Sequence, residues 1–403
     1  MPFRDAWLLV GAVLALLGFA VAEPVMSAVG FVVIVIGAIA RTWSKYLFHR
    51  VTFTPELAES RAFIDEPVAM TITLENRKLL PLPWYEWRLA MADPFTVDGE
   101  SMSAAAVPGL SWLQRKGSMG WYEERQWNFQ VRANVRGYHQ AGPVTIRSAD
   151  LFGVFPRSVE LPVAQRITIY PRVFALEELG LPADRPFGER KGGSRVFEDP
   201  LRIAGLREYR PGDPLRRIDW KATARLGELT SRVYEPSATQ QVYVCLNIDT
   251  LEHAWEGYLK DELEFAVSTA ASVAVWAAGA RYAVGLLANG SFPQADRPIR
   301  LPPSRSREQL ARVLEALAVI QPLTLGDLAA TLLRESSRIP QGSTIVLVAS
   351  LIPESLAGVV VRLHQEGHRV FVLATSERAL GSLPSGIPIQ SVRPGAERWR
   401  PAG

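Results

Sequence analysis

Cysteine is almost absent. Cys245 is the single thiol in 403 residues, which excludes an intramolecular disulfide and any zinc site built on cysteine ligands. Histidine is sparse, with five residues at 49, 139, 253, 364 and 368. A charge excess is missing too: 44 Lys+Arg against 41 Asp+Glu leave a formal charge of +3, which gives no electrostatic footprint for a nucleic-acid partner. There is no GxxxxGK[ST] loop, no GxSxG, no HExxH and no paired-carboxylate motif, so nucleotide binding and the common hydrolytic sites have no positive support. What is present is apolar material. Hydrophobic residues make up 48% of the chain and charged residues 21%, which rules out disorder as the dominant state. At about 150 residues per domain, the length implies two or three domains.

Residues 1–50 carry two uncharged runs, Ala6 to Ala22 and Val25 to Ala40, separated by Glu23-Pro24. At about 1.5 Å per residue each run covers roughly 25 Å, a little short of a ~30 Å hydrocarbon core. Trp7, Trp43 and Tyr46 extend both into the interface. Pro24 breaks the helix between them. The pattern predicts a transmembrane helical hairpin, so the lipid bilayer is an expected partner. Arg41, Lys45 and Arg50 follow the second run without an acid, and Arg4 precedes the first. The positive-inside rule then places both termini in the cytoplasm and the chain in the inner (cytoplasmic) membrane as a multi-pass protein. The competing reading is a cleaved signal peptide, since Ala20-Val21-Ala22 resembles a small-x-small site. Cleavage there would leave the second apolar run next to the new N-terminus.

Residues 51–175 change to short alternating runs: Val68 to Leu74, Trp84 to Ala90, Gln126 to Val131, Gly142 to Ile146 and Arg166 to Tyr170. Turns rich in Pro, Gly and Asp separate them, which predicts an Ig-like β-sandwich. Met102 to Gly117 lacks clear alternation and reads as a loop. Trp84, Trp87, Trp112, Trp121 and Trp127 lie here. They read either as core packing or as an aromatic binding face, and nothing in their spacing favours a particular ligand.

Residues 176–240 form a charged segment. Leu206 to Tyr209 ends an extended piece, and Pro211-Gly212 makes a turn. Asp213 is placed as N-cap with Pro214 at N1, Leu215, Ile218 and Ala222 share one face, and Gly227 is placed for a left-handed C-cap. Arg216 and Asp219 are three apart and can pair. Arg207, Tyr209, Arg210, Asp213, Arg216, Arg217, Asp219, Trp220, Lys221 and Arg225 are the candidate partner surface. Three readings compete: an internal ion-pair network, a dock for an acidic partner segment, and an anion site built on arginines.

This block resembles the core motif of the domain of unknown function 58 family. Leu206, Arg207, Glu208, Tyr209, Pro211, Gly212, Asp213, Arg217, Ile218, Asp219, Trp220, Ala224, Arg225, Gly227 and Leu229 carry the likeness. Upstream, Arg136-Gly137-Tyr138, Gly142-Pro143, Asp150-Leu151-Phe152-Gly153 and Tyr170-Pro171-Arg172 are similar to the stretch that precedes that motif. The resemblance implies a membrane-anchored partner of a MoxR-type AAA+ ATPase with a von Willebrand A-like domain.

Residues 241–391 alternate strand and helix independently of that likeness. The strands are Val242 to Ile248, Tyr282 to Ala288, Thr344 to Ala349 and Arg369 to Ala374. The helices are Leu259 to Ala278, Arg307 to Ile320, Leu325 to Ser336 and Glu354 to Gln365. Such alternation predicts an α/β, Rossmann-like, mostly parallel sheet, which the resemblance refines to von Willebrand A-like. Phe265 to Ala280 is uncharged and admits a third span, but it sits between two strands and reads better as a core helix. Residues 392–403 read as a flexible tail.

Von Willebrand A domains hold a metal with an Asp-x-Ser-x-Ser run, a later Thr and a further Asp. Here Asp249 matches the first position, but Leu251 and His253 replace both serines. Thr324 matches the loop position, and Ser350-Leu351-Ile352 offers no carboxylate. Asp249 and Thr324 are therefore degenerate metal candidates, and no cofactor is expected. Their plain alternatives are a loop cap for Asp249 and an N-cap for Thr324 with Asp327 at N3. His364 and His368 stand four apart, but Gly367 is expected to end the helix between them. Cys245, inside an apolar strand, reads as an inert core thiol.

The functional expectation is a non-catalytic, membrane-anchored scaffold that presents the α/β domain to a MoxR-type AAA+ ATPase or its client. The alternatives are a metal-assisted receptor using Asp249 and Thr324, and a hydrolase of unknown class.

Overall fold

The computed structural model describes residues 6–182, 186–187, 198–210, 218–236, 241–293, 297–380, 383–384 and 386–393. The chain divides into two compact units, Met1–Tyr170 and Pro171–Ala402. The division falls a few residues before the expected one at 175. Phe174 belongs with the second unit: its N–H donates to the Ser272 hydroxyl at 2.9 Å.

The first unit opens with α1 (Ala6–Ala20) and α2 (Pro24–Tyr46). Pro24 stands at the start of α2, where its missing N–H is harmless. The two helices meet through glycines. A Cβ on Gly30 would sit 2.4 Å from the Ala15 nitrogen, and one on Gly18 would sit 2.4 Å from the Ser27 nitrogen. Backbones this close need hydrogen for a side chain. Larger apolar groups point outward instead, among them Leu9, Leu16, Phe19, Val25 and Phe31. Among the described residues α2 alone is long and apolar enough to cross a membrane, while α1 is a shorter apolar helix of 15 residues.

Eleven strands follow: β1 (Val51–Leu57), β2 (Arg61–Phe63), β3 (Val68–Asn76), β4 (Leu82–Ala92), β5 (Phe95–Val97), β6 (Ser103–Ala104), β7 (Leu110–Met119), β8 (Glu124–Ala133), β9 (Gly137–Ser148), β10 (Arg157–Leu161) and β11 (Gln165–Tyr170). They form an all-β, sandwich-like region of two sheets. One sheet runs β1-β3-β8-β5, and the other runs β2-β11-β9-β4-β7-β6 with β10 added on β9. Alternation places Met70, Ile72 and Leu74 of β3 in a common core with Trp87 and Leu89 of β4 and Val144 and Ile146 of β9. Each large apolar side chain buried there contributes about 1.5–3 kcal/mol.

The loop expected over 102–117 is corrected: β6 and β7 occupy most of it. In β7 only Leu113 and Met119 are buried, because the strand lies near the sheet margin with polar residues on its outer face. Pairing with β4, from Leu82↔Met119 to Ala92↔Leu110, supplies the order that the local pattern lacks. The tryptophans divide. Trp87 is fully buried with ring centroids 5.5 Å from both Phe53 and Trp127, whereas Trp84 and Trp121 are exposed.

The second unit contains β12 (Glu198–Glu208), α3 (Trp220–Leu226), β13 (Thr230–Pro236), β14 (Gln241–Asn247), α4 (Lys260–Gly279), β15 (Ala283–Ser291), β16 (Pro298–Ser304), α5 (Gln309–Val319), β17 (Gln321–Thr324), α6 (Leu328–Ser336), β18 (Thr344–Ala349), α7 (Glu354–Gln365), β19 (Arg369–Ala374) and β20 (Ile389–Ser391). Strands β12 and β13 pair with each other in a two-stranded sheet. The main sheet runs β16-β15-β14-β18-β19-β20, parallel from β15 to β20, with β16 and β17 antiparallel to β15. Helices α6 and α7 cover one face, where Tyr243 and Cys245 meet Leu332, Leu356 and Val360. Helix α4 packs on β14, β15 and β18 and lies beside α5. It is a core helix, with twelve buried residues.

Cys245 is inaccessible, and burial pushes its thiol pKa up to about 12, which keeps it protonated and unreactive. Residues 392–393 do not behave as a tail: the buried Val392 donates its N–H to Ala374 O at 2.9 Å. Residues 394–403 lie outside the described residues.

Candidate functional site

Two places gather the residues singled out by sequence. The first is the β12–α3–β13 hairpin. Its register sets Leu206 opposite Arg232, Arg207 opposite Ser231 and Glu208 opposite Thr230. Helix α3 is shorter than expected and starts at Trp220. Its N-cap is Asp219, whose Oδ1 accepts from the Lys221 and Ala222 N–H groups at 3.0 and 3.1 Å. The expected cap at Asp213 is therefore corrected for this helix. Ile218, expected on the apolar face of a helix, instead makes a bridge with Ser231. The physical reason is that the Asp219 carboxylate satisfies two orphan N–H donors, fixing the helix start after itself. Gly227 closes α3 in the left-handed region with φ of 75°, as expected.

Asp219 also accepts from Arg232 Nε at 2.9 Å, a partner thirteen positions on. The N–H donation from Ala222 and then the Arg232 guanidinium hold its pKa below the ordinary carboxylate range. Asp213, Arg216 and Arg217 lie outside the described residues, so the expected Arg216–Asp219 pair does too. Arg207 and Tyr209 are half-buried, and Arg207 Nη1 donates to the Glu208 carbonyl at 3.0 Å. Arg210, Lys221 and Arg225 are exposed. So are four apolar residues of the same hairpin: Trp220 at 67%, Leu226 at 63%, Leu206 at 50% and Leu229 at 47%.

The second place is the carboxyl end of β14. Strand β14 has β15 on one side and β18 on the other, so the chain order reverses there, which is where open α/β sheets form a crevice. Asp249 stands just past β14. Its Oδ1 accepts from the Thr324 hydroxyl at 2.6 Å, and its Oδ2 accepts from Asn289 Nδ2 at 2.9 Å. Asn289 Nδ2 also donates to Asn247 Oδ1 at 2.8 Å, and Asn289 Oδ1 accepts from the Ile248 N–H at 2.9 Å. Asn247 Nδ2 reaches Leu351 O at 2.9 Å, tying the cluster to the end of β18. Burial pushes the Asp249 pKa up, and the hydrogen bonds from Thr324 and Asn289 oppose that push.

The structure thus brings Asp249 and Thr324 together. The N-cap role expected for Thr324 is corrected: Asp327 caps α6 by accepting from the Ala329 N–H at 2.9 Å, and Thr324 is turned to Asp249. Asn247 and Asn289 were missed. Their signal was available, since each is a buried amide at the end of an otherwise apolar strand run. Beyond β18, Ser350 pairs with Thr375 at 2.8 Å. His253 stacks on the exposed Trp255 with centroids 4.1 Å apart. Gly367 interrupts the pair formed by His364 and His368 as expected: α7 ends at Gln365, and the buried His368 lies beyond it. Among the described residues no group of three His, Cys, Asp or Glu side chains is placed to hold a metal ion. A cation at Asp249 would have to share that carboxylate with two hydrogen bonds already made to it.

The family model described as "Protein of unknown function DUF58" matches residues 205–387, from the end of β12 to just before β20 of the main sheet. This part of the chain belongs to the DUF58 family. The uncharacterized protein YeaD of Bacillus subtilis (strain 168) is 22% identical over 223 residues, covering 54% of this chain and 50% of that relative. The chain therefore spans about half the length of the curated relative it matches. Among solved structures, the chain is similar to the CARDB domain of a Pyrococcus furiosus protein in complex with di-metal ions. That match has 13% identity and a TM-score of 0.20, and covers 30% of this chain and 96% of the other. A cohesin module from a Clostridium perfringens family 33 glycoside hydrolase matches at 10% identity and a TM-score of 0.22, again covering 30% and 96%. At such scores neither bears on function.

Proposed function

We propose that this DUF58 protein is a membrane-anchored, non-catalytic adaptor whose α/β unit is presented in the cytoplasm to a MoxR-type AAA+ ATPase or its client. One observation carries the reading. The motif hairpin turns Leu206, Trp220, Leu226 and Leu229 outward beside Lys221 and Arg225. A motif kept for folding alone would bury its tryptophan. An exposed aromatic flanked by cations has the composition of a contact surface. The finer architecture in this reading is a helical hairpin with both ends cytoplasmic, an Ig-like sandwich and a von Willebrand A-like sheet. Support for the anchor comes from α1 and α2, which bury glycines and present Leu, Val and Phe outward, the reverse of a helix pair in water. The bonds on Asp249 come from two neutral donors, an arrangement suited to holding a loop.

The test is co-purification from native membranes with tagged ATPase. Trp220→Ser and Arg225→Glu, both at exposed positions, are expected to abolish capture while leaving thermal unfolding unchanged. Undiminished capture by both variants overturns the reading.

A second reading rests on the contact between Asp249 and Thr324: a degenerate metal site that receives a ligand through Mg²⁺. Calorimetry with Mg²⁺ on the full chain decides it, and the absence of both heat and thermal shift removes it.

A further inference from the structure

A pocket of about 630 Å³ opens in the first unit beside the C-terminal half of α2. Ile39, Trp43, Tyr46 and His49 line it from the helix and the turn after it, and Lys78 and Leu80 line it from the β3–β4 connection. Most of the lining is apolar, yet it contains a cation. Lys78 is only 9% exposed, and its ammonium donates to Asn76 Oδ1 at 2.7 Å. Asn76 is itself held by donating to Leu80 O at 3.0 Å and Gly120 O at 2.6 Å, which fixes its oxygen toward the lysine. An amide oxygen is a neutral partner. It leaves the charge of a buried ammonium uncompensated, and burial pulls the Lys78 pKa down to about 8. The Trp43 ring adds apolar wall to the same pocket.

The level of the pocket narrows the ligand. Arg41, Lys45 and Arg50, with Trp43 and Tyr46, cluster where the apolar part of α2 ends. That composition marks a membrane–water boundary, where aromatic rings and cations meet headgroups. We propose that this pocket takes an anionic phospholipid, its phosphate against the Lys78 ammonium and its acyl chain along Ile39, Trp43 and Leu80. The site rests on the reading of α2 as a membrane anchor. A free phosphate would use the same ammonium but would gain nothing from the apolar wall, so the two sources are separable.

The experiment uses the full chain extracted in mild detergent. It is incubated with equal amounts of dioleoyl-phosphatidylglycerol and dioleoyl-phosphatidylcholine and weighed intact by native mass spectrometry. Wild type is expected to retain one phosphatidylglycerol in preference to phosphatidylcholine. Lys78→Met is expected to lower that retention about tenfold, the loss of one charge-assisted contact. Excess inorganic phosphate is expected to leave the lipid in place. Equal retention of the two lipids, undiminished phosphatidylglycerol on Lys78→Met, or displacement by phosphate each overturns the proposal. Carbonate washing of native membranes separates this from the anchor itself. Release of the wild-type chain removes both readings. A Lys78→Met chain that stays in the membrane but has lost its lipid supports the pocket.

Discussion

The Thr324 hydroxyl donates to Asp249 Oδ1 at 2.6 Å, although 75 positions separate the two residues. With Asn289 on the other oxygen, the carboxylate at the carboxyl end of β14 is held from two further strands of the same sheet, β17 and β15. The contact makes Thr324 a partner of the acid that follows β14.

Asp249 therefore makes stability depend on pH in a particular direction. Burial is the largest influence and raises its folded pKa above the ordinary 3.8. A raised carboxyl pKa means that the folded state holds its proton more tightly than the unfolded chain. Its stabilising effect is present at low pH and is lost as pH rises through the folded value. Asp249→Asn keeps the shape, its carbonyl can still accept from Asn289, and the Thr324 hydroxyl can turn to accept from the new NH2; it should match or exceed wild-type stability at pH 7, and the difference should vanish below the unfolded pKa. Thermal unfolding across pH 3–8 checks it. Thr324→Val should move the Asp249 titration upward and cost about 1.5–3 kcal/mol, read from the carboxyl carbon shift and from urea melts.

Lys78 behaves in the mirrored sense. Its folded pKa of about 8 lies below the unfolded 10.5, so the charged form opposes folding at neutral pH. In detergent without added lipid, Lys78→Met should be more stable than wild type at pH 7. The advantage should shrink as pH rises from 8 to 10.5, as followed by thermal melts.

The aromatic cluster separates structural from surface tryptophans. Trp87→Ala should cost about 3–5 kcal/mol, because it empties the centre of the contact with Phe53 and Trp127. Trp121→Ala, at an exposed site, should stay within about 0.5 kcal/mol of wild type. Urea denaturation of the two variants checks both.

Helix packing in the hairpin depends on hydrogen-sized side chains. Gly30→Leu would drive a Cβ to within 2.4 Å of the Ala15 nitrogen. Engineered cysteines at 15 and 27, whose residues meet through the Ser27 hydroxyl and Ala15 carbonyl at 3.4 Å, should cross-link readily in the parent chain. Gly30→Leu should reduce that cross-linking severalfold.

The cap of α3 is tested by removing its acceptor. Asp219→Ala should speed amide exchange at Ala222 and Lys221, and Asp219→Asn should largely preserve protection. Because the Asp219 pKa is depressed, its support is present above the unfolded value of 3.8 and fades as pH falls through the folded one.

What the sequence determined by itself is the set of elements whose pattern and environment agree. Thr344–Ala349, Glu354–Gln365 and Arg369–Ala374 appear with the boundaries that the periodicity predicts, since apolar runs there are buried on both sheet faces and the helix carries one apolar stripe. The all-β region, the α/β alternation, the glycine C-cap at 227 and the inert thiol were equally local matters. The tertiary structure alone decided what depends on distant partners. Strand β7 and the proline-bearing edge strand β16 exist because neighbours pair with them, against their own weak local signal. The carboxylate cluster joins residues 40 and 75 positions apart, the Lys78 pocket joins a helix to a loop, and whether Trp220 faces solvent depends on packing across the whole hairpin. Local propensity is set by neighbours within a few residues, whereas burial and hydrogen-bond partners are set by surfaces the chain brings together only once folded.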